Sequence, residues 1–291
     1  MTHPRCVLPG KTYLITRRCS ERRFFLRPDE EVTHVFKYVL ARACEMYGVE
    51  LHAFVAMSNH YHLVATDPYG RLPDFEQYLN SQIARALNCH WGREESFWDP
   101  DSYNAVDLIE DDDVLDKIAY TLANPVNAYL VTRARQWEGA TSVRMSFDED
   151  ELVVRPKGFF GKDMPQEVQL RIVPPPGSEQ KPPELVQRQI SNRVRAFEEQ
   201  RDSSRIVLNM KRVRAQHWNA SPETVEERGR LKPKVAARRK WARIEALQRC
   251  KEWLASYYDA LARFCAGERG VEWPHGTWKM CVKLGCPCAT G

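Results

Sequence analysis

Between residues 11 and 122 the apolar residues switch repeatedly between a period of two and a period of 3.6, and few folds accept that order. Residues 11–17 (KTYLITR) are short, β-branched and aromatic, whereas residues 29–47 place Val32, Val35, Phe36, Val39, Leu40 and Ala43 at helical spacing behind an acidic first turn. Residues 51–57 and 61–66 are two apolar runs around Ser58-Asn59-His60, which predicts an antiparallel hairpin with a tight polar turn. A helix from Pro73 to about Trp91 follows, then a strand within residues 96–106. The acidic run 110–113 opens a further helix carrying Leu115, Ile118, Ala119 and Leu122. The order β-α-β-β-α-β-α predicts an α+β, split-βαβ domain over residues 1–150.

The second half differs in composition. Residues 173–185 (VPPPGSEQKPPEL) are dense in proline, so residues 151–186 are expected to be an extended linker or long loop. Beyond it, residues 187–291 form an expected basic helical extension, with helices near 184–201, 205–218 and 234–266. Residues 1–150 hold 16 Lys and Arg against 23 Asp and Glu, while residues 151–291 hold 27 against 16, so a net +4 conceals an acidic half and a basic half. Eight basic residues (Arg228, Arg230, Lys232, Lys234, Arg238, Arg239, Lys240, Arg243) occur with no acidic one among them, which points to a polyanionic partner, DNA or RNA. The longest apolar run, residues 53–57, is far short of a membrane span, and the mean hydropathy is −0.55. Nine scattered cysteines without a secretion signal predict no disulfide framework and a reducing cytoplasm, nucleoid-associated if DNA is the partner.

Three short segments carry chemistry together. His60 and His62 are i and i+2, so a strand presents both imidazoles on one face; Tyr120 and Asn124 are i and i+4, so a helix stacks a phenol and an amide oxygen. If that helix lies on the histidine face, two neutral imidazoles and an amide oxygen can hold Mg²⁺ or Mn²⁺, with coordination positions open for a scissile phosphate. Tyr120 is then the nucleophile, and in-line attack gives a 5′-phosphotyrosine and a free 3′-OH.

Met57-Ser58-Asn59-His60-Tyr61-His62-Leu63-Val64 resembles the M-P-N-H-x-H-L-h signature of the REP-associated tyrosine transposases, single-tyrosine members of the HUH endonuclease superfamily. The segment from Tyr120 through Asn124-Pro125-Val126 and Ala128 to Val131 is similar to their Y-h-x-x-N-P-V-x-A-x-x-V motif. The opening Pro9-Gly10, Tyr13, Thr16 and Arg17 are similar to their first strand. The resemblance spans residues 4–140. It implies a ferredoxin-like antiparallel sheet, a divalent cation on His60, His62 and Asn124, Tyr120 as nucleophile, and a single-stranded target beside a DNA hairpin. Ser58 stands where the family usually has Pro, and Leu14 where its first strand often has His.

Each residue also has a plainer reading. An H-x-H in a strand is usually structural, Tyr120 alone would be a core tyrosine, and Asn124 before Pro125 could end a helix. Arg17, Arg18, Arg22 and Arg23 are candidates for backbone phosphates, with a solvated basic turn the alternative. Asn59 is a further candidate DNA contact, and Trp98, beside Phe97, could stack on an unpaired base or fill the core. Cys281, Cys286 and Cys288 (C-x4-C-x-C), with His275 as a fourth ligand, are a candidate Zn²⁺ site of atypical spacing, against unpaired thiols in a tail. The reading that follows is a metal-dependent, single-strand DNA endonuclease and strand transferase. Its rivals are a non-catalytic DNA- or RNA-binding regulator on the same fold and a replication-initiator-like nickase, for which no G-x-x-x-x-G-K-[ST] loop is present. The sequence leaves monomer and dimer equally open.

Overall fold

The computed structural model describes residues 4–100, 102–147, 149–223 and 233–290. Strand β1 (Lys11–Arg18) lies at the centre of a sheet. Helix α1 (Glu30–Tyr47) follows it, then the hairpin β2 (Glu50–Ala56) and β3 (His60–Asp67), helix α2 (Leu72–Trp91), β4 (Asn104–Leu108) and helix α3 (Asp111–Asn127). The sheet order is β2-β3-β1-β4, every neighbour antiparallel, which is the expected ferredoxin-like arrangement.

Local chemistry sets these boundaries. The Asp29 carboxylate accepts from the Val32 N–H at 2.9 Å to cap α1, and Gly48 ends the helix at φ +65°, a left-handed conformation that glycine adopts without a Cβ clash. Alternation along β1 and β3 then separates two cores. Tyr13, Ile15, Tyr61 and Leu63 face α1 and α2, whereas Leu14 and Val64 face α3. A bulge at His52 lets Leu51 and Phe54 face the first core while Ala53 and Val55 face the second.

The bulged His52 is buried. Its Nδ1 donates to the Val173 carbonyl at 2.9 Å, so Nε2 accepts from the Thr66 hydroxyl at 2.8 Å, and Thr66 in turn meets Thr12 at 2.7 Å. Across the sheet, α2 buries Glu76, whose carboxylate accepts from Tyr103 and stands 3.8 Å from Arg5. Burial pushes its carboxyl up to about 8 against the opposing pull of Tyr103, Arg5 and Arg17. A carboxyl raised in the fold loses stability as pH climbs from its unfolded value toward 8. Glu76→Gln is therefore expected to stabilise the chain by on the order of 2–4 kcal/mol at pH 8 and by little at pH 4. Urea unfolding at the two pH values checks this, and equal effects at both would refute it.

The second half departs from expectation. Residues 151–172 are not linker: β5 (Glu151–Val154) and β6 (Glu167–Leu170) form a two-stranded sheet whose Val153, Val168 and Leu170 join the α1 core. The proline-rich chain that follows is pinned where the Val173 N–H donates to the Leu51 carbonyl at 2.8 Å. Helix α4 (Pro183–Gln200) packs on α3 through Val186, Ile190 and Val194, so it extends the N-terminal core rather than starting a separate domain. The expected helix at 205–218 is reduced to α5 (Met210–Ala215), because Asn209 caps it at φ +65° and Trp218 leaves it to stack on Trp91 at 5.3 Å. Short β7 (Val235–Ala236) adds to β4 in parallel, making the five-stranded sheet mixed. Helix α6 (Lys240–Cys265) and the C-terminal tail form a small satellite core around Trp273. Among the described residues no helix is long and apolar enough to cross a membrane.

Candidate functional site

The site lies on the α3 face of the sheet. Arg18, Thr16 and Leu14 of β1 stand opposite His60, His62 and Val64 of β3, and period-two alternation turns all of them toward α3. The two imidazoles sit perpendicular with ring centroids 4.9 Å apart, and the Tyr120 ring meets His62 edge-on at 5.9 Å. Asn124, one turn further along α3, is buried beside His60. Pro125 does not end α3 at Asn124. The helix continues to Asn127, with the Ala128 N–H donating to the Asn124 carbonyl at 2.9 Å, so Tyr120 and Asn124 share a continuous helical face.

Hydrogen bonds fix which nitrogens are free. The Asn59 amide donates its N–H to the Arg22 carbonyl at 3.2 Å, which leaves Oδ1 to accept from His60 Nδ1 at 2.7 Å; His60 therefore carries its proton on Nδ1 and a lone pair on Nε2. Thr16 Oγ1 occupies the Nδ1 side of His62 at 2.9 Å, leaving Nε2 as that ring's other nitrogen. Burial, then the neighbouring His62 and Arg18, hold His60 well below the usual imidazole range, and burial followed by Arg18 lowers His62 to about 4. Both rings are neutral donors at pH 7. Two imidazole nitrogens and one amide oxygen fit a divalent cation with open positions, and no group of three or more His, Cys, Asp or Glu suited to a metal occurs among the described residues.

Asn59 thus orients the His60 ring rather than reaching outward, since both ends of its amide are engaged. Asn59→Ala is expected to weaken Mn²⁺ binding about 10- to 100-fold, as loss of a hydrogen bond that orients a ligating histidine does. Titration calorimetry measures it, and an unchanged affinity would remove Asn59 from this role.

The other candidate residues divide by location. Arg18 and Arg22 both bear electrostatically on His60, while Arg17 turns to the opposite face near Tyr103 and Arg23 is paired with Glu21 and the Asn219 carbonyl. Trp98 is core, not a stacking platform: it is 6% exposed, its Nε1–H donates to the Asn80 carbonyl at 2.9 Å, and Tyr61 and Phe97 cover its faces. Arg238 and Arg239 pair with the acidic start of α3, Arg238 with Asp116 at 3.4 Å and Arg239 with Glu110. Strand β7 causes this by drawing the basic segment alongside β4, so the acidic and basic runs compensate each other. Lys234 lies in this segment, its carbonyl accepting from the Asp107 N–H, while Lys240 and Arg243 are exposed at the start of α6. Arg228, Arg230 and Lys232 lie outside the described residues. The Zn²⁺ reading is not assembled: Cys281 and Cys288 are joined as a disulfide, Cys286 is a free thiol, and His275 is held by its carbonyl to Trp253.

Sequence reasoning passed over three neighbours of the site. Thr16 orients His62, Lys117 places its ammonium 5.5 Å from the Tyr120 ring centre, and Phe197 of α4 meets that ring at 6.4 Å. Lys117 was recoverable as the i−3 neighbour of Tyr120, whereas Phe197 depends on how α4 docks.

Residues 11–112 match the sequence model of the family described as "Transposase IS200 like". Over that segment, about a third of its length, the chain is similar to IS200-like transposases. The matched region includes His60 and His62 and stops short of Tyr120 and Asn124. A solved REP-associated tyrosine transposase bound to a REP hairpin is 15% identical with a TM-score of 0.43, covering 57% of this chain and 91% of that one. A putative transposase from Deinococcus radiodurans R1 is 26% identical with a TM-score of 0.28, covering 36% of this chain and 85% of that one. No curated protein sequence matches the chain.

Proposed function

We propose that this chain is a transposase that cuts and rejoins single-stranded DNA beside a hairpin, with Tyr120 as nucleophile and His60, His62 and Asn124 holding Mg²⁺ or Mn²⁺. The observation that carries the reading is the convergence of a strand pair and a helix pair, far apart in sequence, on one spot with both imidazoles neutral. When bound, the cation supplies Lewis-acid polarisation of the scissile phosphate. The chain supplies the rest. Tyr120 Oη attacks phosphorus in line and gives up its proton, the bond from phosphorus to the 3′ oxygen breaks, and that oxygen takes a proton to leave as a 3′-OH. The 5′-phosphotyrosine conserves the bond for rejoining, because a strand's 3′-OH can reverse the attack. Lys117 lowers the cost of the developing phenolate, and Arg18 and Arg22 offer positive charge to the flanking phosphates. A hairpin target follows from the family resemblance of the three motifs, and a nucleoid-associated cytoplasmic location follows from acting on DNA.

Incubating the full chain with labelled single-stranded hairpin DNA and Mn²⁺ is expected to give a covalent protein–DNA adduct on a denaturing gel. Tight binding of the DNA with no adduct under any divalent cation would instead make the chain a regulator that reuses the fold.

A further inference from the structure

Three stacked rings end in the open beside the candidate site. Trp91, the last residue of α2, and Trp218 are 15° from parallel with centroids 5.3 Å apart, and the His217 imidazole continues from Trp218 at 5.3 Å, tilted by 32°. Both indoles are half-buried, whereas His217 is exposed. The inner end is fixed: the Trp91 Nε1–H donates to the Phe25 carbonyl at 3.0 Å, the Phe25 ring stands 6.1 Å from Trp218, and the Arg27 guanidinium lies 5.4 Å from the Trp91 ring centre. The outer ring is held too, because the Asn219 N–H donates to His217 Nδ1 at 3.2 Å, which places the proton of the neutral ring on Nε2.

One segment ties this stack to the histidines. Glu21 and Arg22 stand at φ 52° and 58°, a left-handed conformation that is costly outside glycine and collects at functional sites. The bend presents the Arg22 carbonyl to the Asn59 amide that orients His60. Immediately after it, the Arg23 guanidinium donates to the Asn219 carbonyl and the Phe24 N–H to the Ala220 carbonyl at 2.9 Å, so the loop carrying His217 is bonded to the same segment. Arg27 adds a bond to the Gln216 carbonyl at 3.0 Å. Lys211 and Arg212, on α5 within six residues of His217, are exposed. On the reading that the site works on single-stranded DNA, we propose that the His217 ring is a stacking platform for an unpaired base of the strand whose phosphates pass Arg22. A flat ring held in place and open on its outer side takes any base, since every base has a π-face, and the cations beside it suit the backbone. Because the ring is already ordered, stacking on it costs little further side-chain entropy. A base within a duplex has both faces covered, so the platform selects single strands.

Fluorescence anisotropy of the full chain in EDTA, where no strand is cut, compares a DNA hairpin carrying single-stranded tails with the same hairpin made blunt. His217→Ala is expected to weaken binding of the tailed hairpin about tenfold or more, the size of one lost base stack, and to leave the blunt hairpin unchanged. His217→Phe keeps a ring while discarding both nitrogens, and is expected to restore the native affinity. A 2-aminopurine moved along the tails is expected to be quenched at one position by the native chain and the phenylalanine variant but not by the alanine variant. His217 is exposed, so circular dichroism should be the same for all three. An alanine variant with native affinity for the tailed hairpin, an equal loss on the blunt hairpin, or a phenylalanine variant as weak as alanine overturns the platform. The Mn²⁺-dependent adduct, scored in parallel, separates this from the cutting chemistry. An adduct from the native chain alongside any of those results removes the platform alone. No adduct alongside a tail-dependent loss at His217 keeps the platform in a protein that binds without cutting, and a native chain that binds neither hairpin overturns both.

Discussion

Tyr120→Phe is expected to abolish the covalent adduct while leaving the fold and hairpin binding in place. The ring contacts that seat Tyr120, with His62 at 5.9 Å, Phe197 at 6.4 Å and Lys117 at 5.5 Å, all persist in phenylalanine. Its hydroxyl has no hydrogen-bond partner among the described residues, so the stability change should stay below about 1 kcal/mol. The chemistry, by contrast, loses its attacking atom. Removal of a nucleophile costs on the order of 10⁶ in rate, which places any residual adduct below detection. Single-turnover labelling alongside thermal unfolding separates the two effects. Adduct formation by the phenylalanine variant would move the nucleophile elsewhere, and a large loss of stability would return Tyr120 to the core.

The second large effect is acid unfolding between pH 6.5 and 4. Burial holds His52 and His62 down to about 4, and His60 lies well below its ordinary value for the same reason. An imidazole lowered in the fold is neutral there, while the unfolded chain takes up its proton near pH 6.5. Stability is therefore complete above that value and lost as pH falls toward 4. Each of His52 and His62 contributes about 3 kcal/mol to the loss. The two together rival the roughly 5–15 kcal/mol by which domains are stable. His52→Gln retains an N–H for the Val173 carbonyl and an oxygen for the Thr66 hydroxyl but removes the titration. Its denaturation free energy is expected to fall less steeply with pH, by about one proton. Parallel curves for the two proteins would show that His52 is not the acid-sensitive group.

Much of this protein was legible before folding was considered. Period switching gave the order of strands and helices through α3, because each of those elements buries one face of a single sheet and so writes its period into the sequence. The H-x-H and Y-x-x-x-N pairs were legible for a related reason: a strand and a helix each dictate which residues share a face. Phe197, Trp98 and the pairing of Arg238 and Arg239 were not. Trp98 gives no sequence sign of whether its ring meets Tyr61 or a base, and a basic run looks solvent-facing until a strand as short as β7 sets it beside an acidic one. Prolines between 173 and 185 look like a linker because proline lacks an N–H, yet α4 packs on α3 immediately afterwards.

The sequence by itself determined the local geometry: alternation along β3 set His60 and His62 on one side, and helical repeat along α3 set Tyr120 above Asn124. Tertiary structure alone decided that the two pairs meet, that Asn59 and Thr16 choose the free ring nitrogens, and that burial keeps both imidazoles neutral. Spacing within one element is fixed by backbone geometry, whereas proximity between elements, and the desolvation that sets a protonation state, exist only once the two cores have closed around the sheet.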